Sequence, residues 1–173
     1  MLSLLNSSKK NDCSFLTIGA LVRKLNRENL RIVIVENDED DVFFLKRALQ
    51  QGGFVYPFVH LKNGAEAIDY FQKLERPASC LPDIVLMDIK MPAKDGFEVL
   101  EWLRGHRFFK DLPVIMLTSS SDLSDMRKSQ RLGVFKFLTK RVHYDNVLSA
   151  LEGFVAVCTS SDPDANWAKG DSV

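Results

Sequence analysis

Short apolar runs alternate with amphipathic helical patterns five times between residues 30 and 157. The predicted strands are Arg31–Val35, Val55–Leu61, Ile84–Met87, Pro113–Leu117 and Val134–Leu138. After each run, apolar residues recur every three or four positions, which is typical of a helix packed on a sheet. Because helical crossovers join parallel strands with a right-handed sense, the pattern predicts an α/β fold. Its architecture is a doubly wound five-stranded parallel sheet with five helices on its two faces.

The chain of 173 residues is 46% hydrophobic, which suits one domain with tails. We expect an N-terminal extension over residues 1–29, the α/β domain over 30–157 and a flexible tail over 158–173. An amphipathic helix and a disordered segment both remain open for the extension. Within the domain, Gly52–Gly53 and Gly133 indicate helix ends, and Asn63–Gly64 indicates a turn before a helix. Polar residues 118–121 are candidate N-caps for the fourth helix.

Charge and cysteine content exclude several classes of protein. Lysine plus arginine and aspartate plus glutamate both number 23, so overall charge gives no support to nucleic-acid or membrane binding. No apolar run reaches the roughly 18–20 residues that a membrane span needs. The odd set of Cys13, Cys80 and Cys158 argues against a disulfide framework or zinc site and suits a cytoplasmic protein. The scattered histidines His60, His106 and His143 are interpreted as ordinary residues.

Polar and charged residues follow four of the five predicted strands. They are Glu36-Asn37-Asp38, Asp88, Thr118 and Lys140. Parallel strands end at one edge of the sheet, so we expect these groups to meet there. Converging carboxylates repel one another, and a Mg²⁺ ion bound by oxygen ligands relieves that repulsion. A neighbouring hydroxyl and ammonium suit phosphoryl oxygens, so the sequence predicts phosphoryl transfer onto a carboxylate.

The motifs that carry these groups resemble the receiver domain of two-component response regulators. The resemblance rests on Met-Asp-Ile-Lys-Met-Pro-x-x-Asp-Gly from Met87, on Phe-Lys-Phe-Leu-Thr-Lys from Phe135, and on the spacing of Thr118, and it covers Leu30 to Val157. The segment from Glu36 to Leu49 is similar to small stand-alone receivers of bacterial phytochrome pathways. The resemblance implies that a sensor histidine kinase or phosphotransfer protein donates a phosphoryl group to Asp88.

The resemblance also implies a role for each neighbouring group. Glu36 and Asn37 match the acidic pair that holds Mg²⁺ together with Asp88 and the backbone carbonyl of Lys90. Thr118 matches the hydroxyl that bonds a phosphoryl oxygen. Lys140 matches the lysine that pairs with the phosphate or with Asp88. Phe137 matches the aromatic rotamer-switch position; an ordinary strand aromatic is the alternative.

Three positions depart from the family pattern. Asn37 stands where an aspartate is usual, so one negative charge is lost unless the loop turns Asp38 inward. Arg141 follows Lys140 where a cis-proline is usual; since a cis bond without proline costs about 3–4 kcal/mol, this bond is trans or the loop is strained. Phe137 lacks the hydroxyl of a tyrosine switch.

These features favour a single-domain response regulator, not an enzyme, that signals through changed affinity for a downstream protein. The expected output surface is the face formed by the fourth helix, fifth strand and fifth helix. The alternative is a pseudo-receiver that binds a partner without phosphorylation. A phosphatase or flavodoxin-like enzyme is disfavoured because the sequence lacks a glycine-rich phosphate loop and has no cysteine at the end of a predicted strand. Apolar residues Tyr144, Val147, Leu151, Phe154 and Val155 on the last helix indicate either a homodimer interface or a wide buried stripe.

Overall fold

The structure is a computed structural model that describes residues 25–55, 57–74, 81–119, 122–140 and 144–159. Five strands alternate with five helices in this part of the chain. In order they are β1 (Ile32–Val35), α1 (Glu39–Gln51), β2 (Val59–Leu61), α2 (Gly64–Lys73), β3 (Ile84–Asp88), α3 (Gly96–Gly105), β4 (Val114–Thr118), α4 (Leu123–Arg131), β5 (Lys136–Thr139) and α5 (Asp145–Thr159).

All strand pairs are parallel, and the sheet order is β2-β1-β3-β4-β5. This is the flavodoxin-like, doubly wound order, in which ligands bind beyond the carboxyl ends of the strands. The predicted fold class is therefore confirmed. The most apolar strands, β1, β3 and β4, are buried along their whole length at the centre of the sheet.

Side chains alternate between the two faces of the sheet and form two cores. On β3, Val85 and Met87 belong to a core shared with α2 and α3, which contribute Phe71 and Leu100. The intervening Leu86 belongs to a second core shared with α1 and α5. This alternation decides on which face each functional side chain at the strand ends lies.

Helix ends agree with the glycine signals in the sequence. Gly53 and Gly133 follow α1 and α4 with φ of +83° and +64°, the left-handed conformation that a glycine adopts without steric cost. Asn63 caps α2 by accepting a hydrogen bond from the Glu66 amide. The expected cap of α4 among residues 118–121 was wrong: Thr118 ends β4, and the Asp122 carboxylate accepts the hydrogen bond from the Ser124 amide.

Besides shifts of one residue at the ends of β1, β3 and β4, other element bounds differ from prediction. β2 begins at Val59, because Val55 lies 63% exposed outside the sheet and donates its amide to the Arg27 carbonyl at 3.4 Å. β5 is shifted toward the C-terminus and includes Lys136–Thr139. Helix α5 continues through Thr159, past the expected start of a flexible tail at residue 158.

The apolar stripe of α5 packs within its own chain. Val147, Leu151 and Phe154 are buried in the α1–α5 core, and the half-buried Tyr144 and Val155 pack against the same core. Packing within one chain therefore accounts for the stripe. Homodimerisation through α5 stays a prediction.

Several predictions concern parts of the chain outside the described residues. These are the first 24 residues of the N-terminal extension expected over residues 1–29, with its candidate amphipathic helix, the Lys140–Arg141 bond, residues 160–173, and the environments of Cys13, Cys80 and His143. Leu25 is described and packs against the α1–α5 core. Among the described residues, no helix has the length and apolarity needed to cross a membrane. The expected cytoplasmic location stays a prediction.

We predict that Gly96→Ala destabilises the fold by about 2–3 kcal/mol, because an added Cβ would lie 2.2 Å from the Asp88 carbonyl oxygen. The matched control is Gly153→Ala in α5, where no atom lies within 4 Å of the added carbon. Alanine there should stabilise the protein by about 0.5–1 kcal/mol, since glycine is a poor helix former. Urea unfolding measures both changes. Equal stability of the two variants would contradict this account of the α3–β3 contact.

Candidate functional site

Three charged side chains at the carboxyl ends of the strands lie on one face of the sheet. Glu36 continues β1 in phase with Ile34, Asp88 is in phase with Leu86, and Lys140 continues β5 in phase with Leu138. The three apolar residues all belong to, or pack against, the α1–α5 core. Period-two alternation therefore carries Glu36, Asp88 and Lys140 to this face, at the carboxyl edge of the sheet.

The Lys140 ammonium is the centre of this group. Its Nζ lies 3.0 Å from Asp88 Oδ1 and 2.9 Å from Asp41 Oδ2, and it donates a short hydrogen bond to Glu36 Oε2. Glu36 and Asp88 are nearly inaccessible, at 2% and 5% exposure. A largely buried ammonium, on a side chain that is 11% exposed, thus contacts two buried carboxylates and one half-exposed carboxylate.

Backbone hydrogen bonds fix the position of Lys140. The Lys140 amide donates to the Thr118 carbonyl at 2.5 Å, which continues the pairing of β4 with β5. The Ile89 amide donates to the Leu117 carbonyl at 3.1 Å and continues β3 beside β4 in the same way. The ends of β3, β4 and β5 are therefore held in one register, and this register sets the distance between Asp88 and Lys140.

Burial and the ammonium act in opposite directions on the two buried carboxyls. Burial raises the pKa of Glu36 and of Asp88 above their ordinary values, although the hydrogen bond and positive charge of Lys140 lower each in part. For Lys140, burial lowers the pKa, but hydrogen bonds to Glu36 and Asp41 and the charge of Asp88 outweigh it, so the pKa is raised. The ammonium therefore stays protonated at neutral pH.

Thr118 and Phe137 lie on the opposite face from these charges. Thr118 is fully buried at the end of β4, in phase with Met116 of the α2–α3 core. Phe137 pairs with Met116 across the β4–β5 ladder and packs, half-buried, against the same core. The two residues with predicted response roles thus share one face, next to α4.

The acidic loop after β1 is arranged differently from expectation. Asn37 is exposed at the bend before α1. The suggestion that Asp38 turns inward is wrong: its Oδ1 accepts the amides of Asp40 and Asp41 at 2.9 and 3.1 Å as the N-cap of α1. That geometry commits the Asp38 carboxylate to the helix end and away from Lys140.

Sequence reasoning missed Asp41, the third carboxylate around Lys140. A usable signal was present, because Asp41 precedes the buried Leu45 by four positions and therefore shares its helix face. That face packs on the side of the sheet that carries Glu36 and Asp88. Asp41 is part of the site because it lies on the face of α1 that packs against the sheet.

The two buried carboxylates suit a hard divalent cation. Oxygen ligands are those that Mg²⁺ prefers, and Glu36 and Asp88 already surround a positive charge in the form of the Lys140 ammonium. Among the described residues, no group of three His, Cys, Asp or Glu side chains lies ready as a metal site. A cation at this edge of the sheet would be held by the two carboxylates together with neutral oxygens, such as the Lys90 carbonyl and the Asn37 amide.

Comparison with known proteins identifies the family of this chain. The sequence model of the family described as the response regulator receiver domain matches residues 32–152. Response regulator Rcp1 of Synechocystis is 28% identical over 123 residues, which cover 70% of this chain and 84% of that protein. Protein PilG of Pseudomonas aeruginosa is 35% identical over 96 residues, covering 56% and 71% of the two chains.

Solved structures extend the likeness to receivers of phytochrome pathways. The bacteriophytochrome response regulator RtBRR is 31% identical with a TM-score of 0.63, and the match covers 71% of this chain and 76% of that one. The bacteriophytochrome response regulator AtBRR is 33% identical with a TM-score of 0.62, covering 71% and 91%. The chain belongs to the response regulator receiver domain family, whose members are signalling modules of two-component systems.

We predict that Lys140→Met destabilises the protein by about 3–5 kcal/mol at pH 7.5, because it leaves buried carboxylates without their cation. Burial raises the pKa of Glu36 and Asp88, so the folded protein binds protons at these carboxyls more readily than the unfolded chain does. The free energy of unfolding that the variant loses to its unpaired carboxylate charges is therefore regained as pH falls. The deficit of the variant relative to the native protein should therefore shrink between about pH 7.5 and pH 5.

Urea unfolding at the two pH values measures this deficit. The control is Lys62→Met, since Lys62 makes an exposed ion pair with Glu39, which is worth less than about 1 kcal/mol. A deficit for Lys140→Met that is small, or that grows toward low pH, would contradict the proposed electrostatics.

Proposed function

We propose that this receiver accepts a phosphoryl group on Asp88 and signals by changed binding to a downstream protein. The observation that carries the proposal is the buried Asp88 carboxylate, held at the end of β3 against the Lys140 ammonium. The donor is a phosphohistidine of a sensor histidine kinase or phosphotransfer protein. An Asp88 Oδ atom forms the new O–P bond, and the histidine nitrogen leaves with the electron pair of the broken P–N bond.

The neighbouring side chains have complementary tasks in this transfer. Lys140 keeps the Asp88 oxygen oriented before transfer and then neutralises charge on the phosphoryl oxygens. Glu36 and Asp88, with the Asn37 amide and the Lys90 carbonyl, would hold Mg²⁺. The ion, when bound, supplies positive charge to the transferred group. Two similar structures support cation binding and phosphorylation as functions of such a receiver: a Mn²⁺-bound form of Rcp1, 25% identical, and a phosphorylated cyanobacterial phytochrome response regulator, RcpA, 27% identical.

Thr118 and Phe137 are the proposed response elements. A Thr118 hydroxyl that turns toward the phosphoryl group vacates space on the α2–α3 face, where Phe137 is half-buried. Inward movement of Phe137 then changes the surface formed by α4, β5 and α5. Because Phe137 has no hydroxyl to hydrogen-bond, packing alone decides the position of its ring.

Helix α4 is suited to transmit such a change because it is weakly packed. Ser129 is its one buried residue, and among the described residues the Ser129 Oγ has no hydrogen-bond partner. The other described helices each bury at least three residues. Helices with few buried apolar contacts move at low free-energy cost.

A second function, a pseudo-receiver that binds its partner without phosphorylation, is favoured by one observation. The exposed Asn37 offers a neutral oxygen where a carboxylate is usual, and Lys140 already satisfies the buried carboxylates. In that case the resting structure itself is the binding form. The two functions differ in their response to a phosphodonor.

We predict that acetyl phosphate with millimolar Mg²⁺ adds one phosphoryl group to the native protein, and that Asp88→Asn abolishes the addition. Asparagine preserves the shape of the side chain but cannot form the acyl phosphate. Intact-protein mass spectrometry measures the adduct. The control is Asp69→Asn, which removes an exposed carboxylate on α2 and should leave phosphorylation unchanged.

Asn37→Asp should raise the extent of phosphorylation, because it returns a charged ligand to the cation site. Absence of an adduct on both the native protein and Asn37→Asp would favour the pseudo-receiver. An adduct that persists in Asp88→Asn would refute the assignment of the phosphoacceptor.

A further inference from the structure

The third carboxylate around Lys140 comes from a helix and not from a strand end. Asp41 lies in the first turn of α1, and its Oδ2 is 2.9 Å from Lys140 Nζ. Its side chain is 39% exposed, whereas those of Glu36 and Asp88 are 3% and 7% exposed. Asp41 is therefore the solvent-accessible partner of the ammonium, whereas the other two carboxylates are buried.

Two hydrogen-bonding groups hold Asp41 in this position. The Asp38 cap accepts the Asp41 amide at 3.1 Å, and the Tyr144 hydroxyl donates to the Asp41 carbonyl at 3.2 Å. Burial, reinforced by the charge of Asp41, raises the pKa of Tyr144 to about 12, so this hydroxyl stays protonated and remains a donor. The start of α1 is thereby tied to the residue that precedes α5.

The charge of Asp41 matches the charge that is missing at Asn37. With Glu36, Asp41 and Asp88 ionised around one Lys140 ammonium, the group carries a net charge of minus two. A divalent cation neutralises that charge. Without Asp41, the charge would be minus one and the attraction for a divalent cation would be correspondingly weaker.

We infer that Asp41 is a positioning residue with two roles. Its carboxylate supplies the negative charge that is absent at Asn37, and it keeps the Lys140 ammonium in place when a divalent cation binds Glu36 and Asp88. The inference rests on the proposed function, since it concerns the same cation site. Before the cation binds, Lys140 has three carboxylate partners. Once the cation engages the two buried ones, Asp41 remains as an anionic partner at the solvent side. The ammonium then stays at the edge of the site, where the phosphoryl group arrives.

A charge-relocation experiment tests this role directly. The dissociation constant for Mg²⁺ alone is measured by isothermal titration calorimetry, at constant ionic strength and without any phosphodonor. The proteins are native, Asp41→Asn, Asn37→Asp and the double variant. Asp40→Asn is the matched control, because Asp40 lies in the same helical turn but is exposed. Glu36→Gln reports on the site itself, and circular dichroism with urea unfolding verifies that each variant folds.

We expect Asp41→Asn to weaken Mg²⁺ binding by about 10–100-fold, as for other residues that support metal ligands, and Asp40→Asn to change it less than about threefold. Adding Asn37→Asp to Asp41→Asn should restore most of the native affinity. A merely structural role of Asp41 in the helix would not be rescued by a charge at residue 37. Strong coupling in this double-mutant cycle therefore supports the inference.

Three outcomes would overturn the inference, and they distinguish its failure from failure of the proposed metal site. In the first outcome, Glu36→Gln weakens Mg²⁺ binding but Asp41→Asn does not. In the second, Asn37→Asp fails to restore Mg²⁺ binding to a folded Asp41→Asn protein. Either result shows that Asp41 is not the replacement charge, and the proposed function stands. If the native protein binds no Mg²⁺ at millimolar concentration, both the inference and the proposed metal site are wrong.

Discussion

The interaction on which the site depends is the ammonium of Lys140 inside a ring of carboxylates. Burial alone disfavours the charged forms of Glu36 and Asp88, and raises their pKa values. The ammonium partly offsets that cost, because its positive charge lies in contact with both carboxylates. An Asp88 carboxylate that is desolvated yet still ionisable is the chemical state that a phosphoacceptor needs. The same ammonium is the group that a divalent cation must partly displace.

The fold supplies this arrangement through strand register and alternation. Parallel pairing of β1, β3, β4 and β5 brings the polar strand ends to one edge, and the period of two divides them between the faces. Charged groups fall on the α1–α5 face, and the proposed response elements fall on the face near α4. One sheet thus carries the charged groups and the proposed response elements on opposite faces. Gly96 keeps α3 close to the backbone of Asp88, where a larger residue would collide with it.

Much of this arrangement followed from the sequence, because it depends on patterns with a fixed period. The apolar runs of β1, β3 and β4 predicted central strands, and Asp88 and Thr118 were located because each lies at the end of such a run. Features that depend on the path of a loop were harder to predict from the sequence. The Asp38 carboxylate could either cap helix α1 or turn toward the cation site. In the structure it caps the helix by accepting the amides of Asp40 and Asp41.

Asp41 and the start of β2 were missed for a related physical reason. A charged residue in the first turn of a helix is usually explained by the helix dipole, so its contact with Lys140 required knowing how α1 sits on the sheet. Val55 has strand propensity, but it lies outside the sheet, where its amide bonds the Arg27 carbonyl of the preceding segment. Tertiary contacts of this kind override local preference.

The central claim is that Asp88 is the phosphoacceptor. On phosphorylation, the Lys140 ammonium exchanges its contact with the Asp88 carboxylate for a contact with the phosphoryl group. A crystal structure of the native protein with Mg²⁺ and beryllofluoride, a phosphoryl analogue, tests this claim most directly. The account predicts beryllium bonded to an Asp88 Oδ atom, Lys140 Nζ within hydrogen-bond distance of a fluorine, and Mg²⁺ on Glu36 and Asp88. An Asp88 carboxylate that remains unmodified and paired with Lys140 under saturating conditions would contradict it.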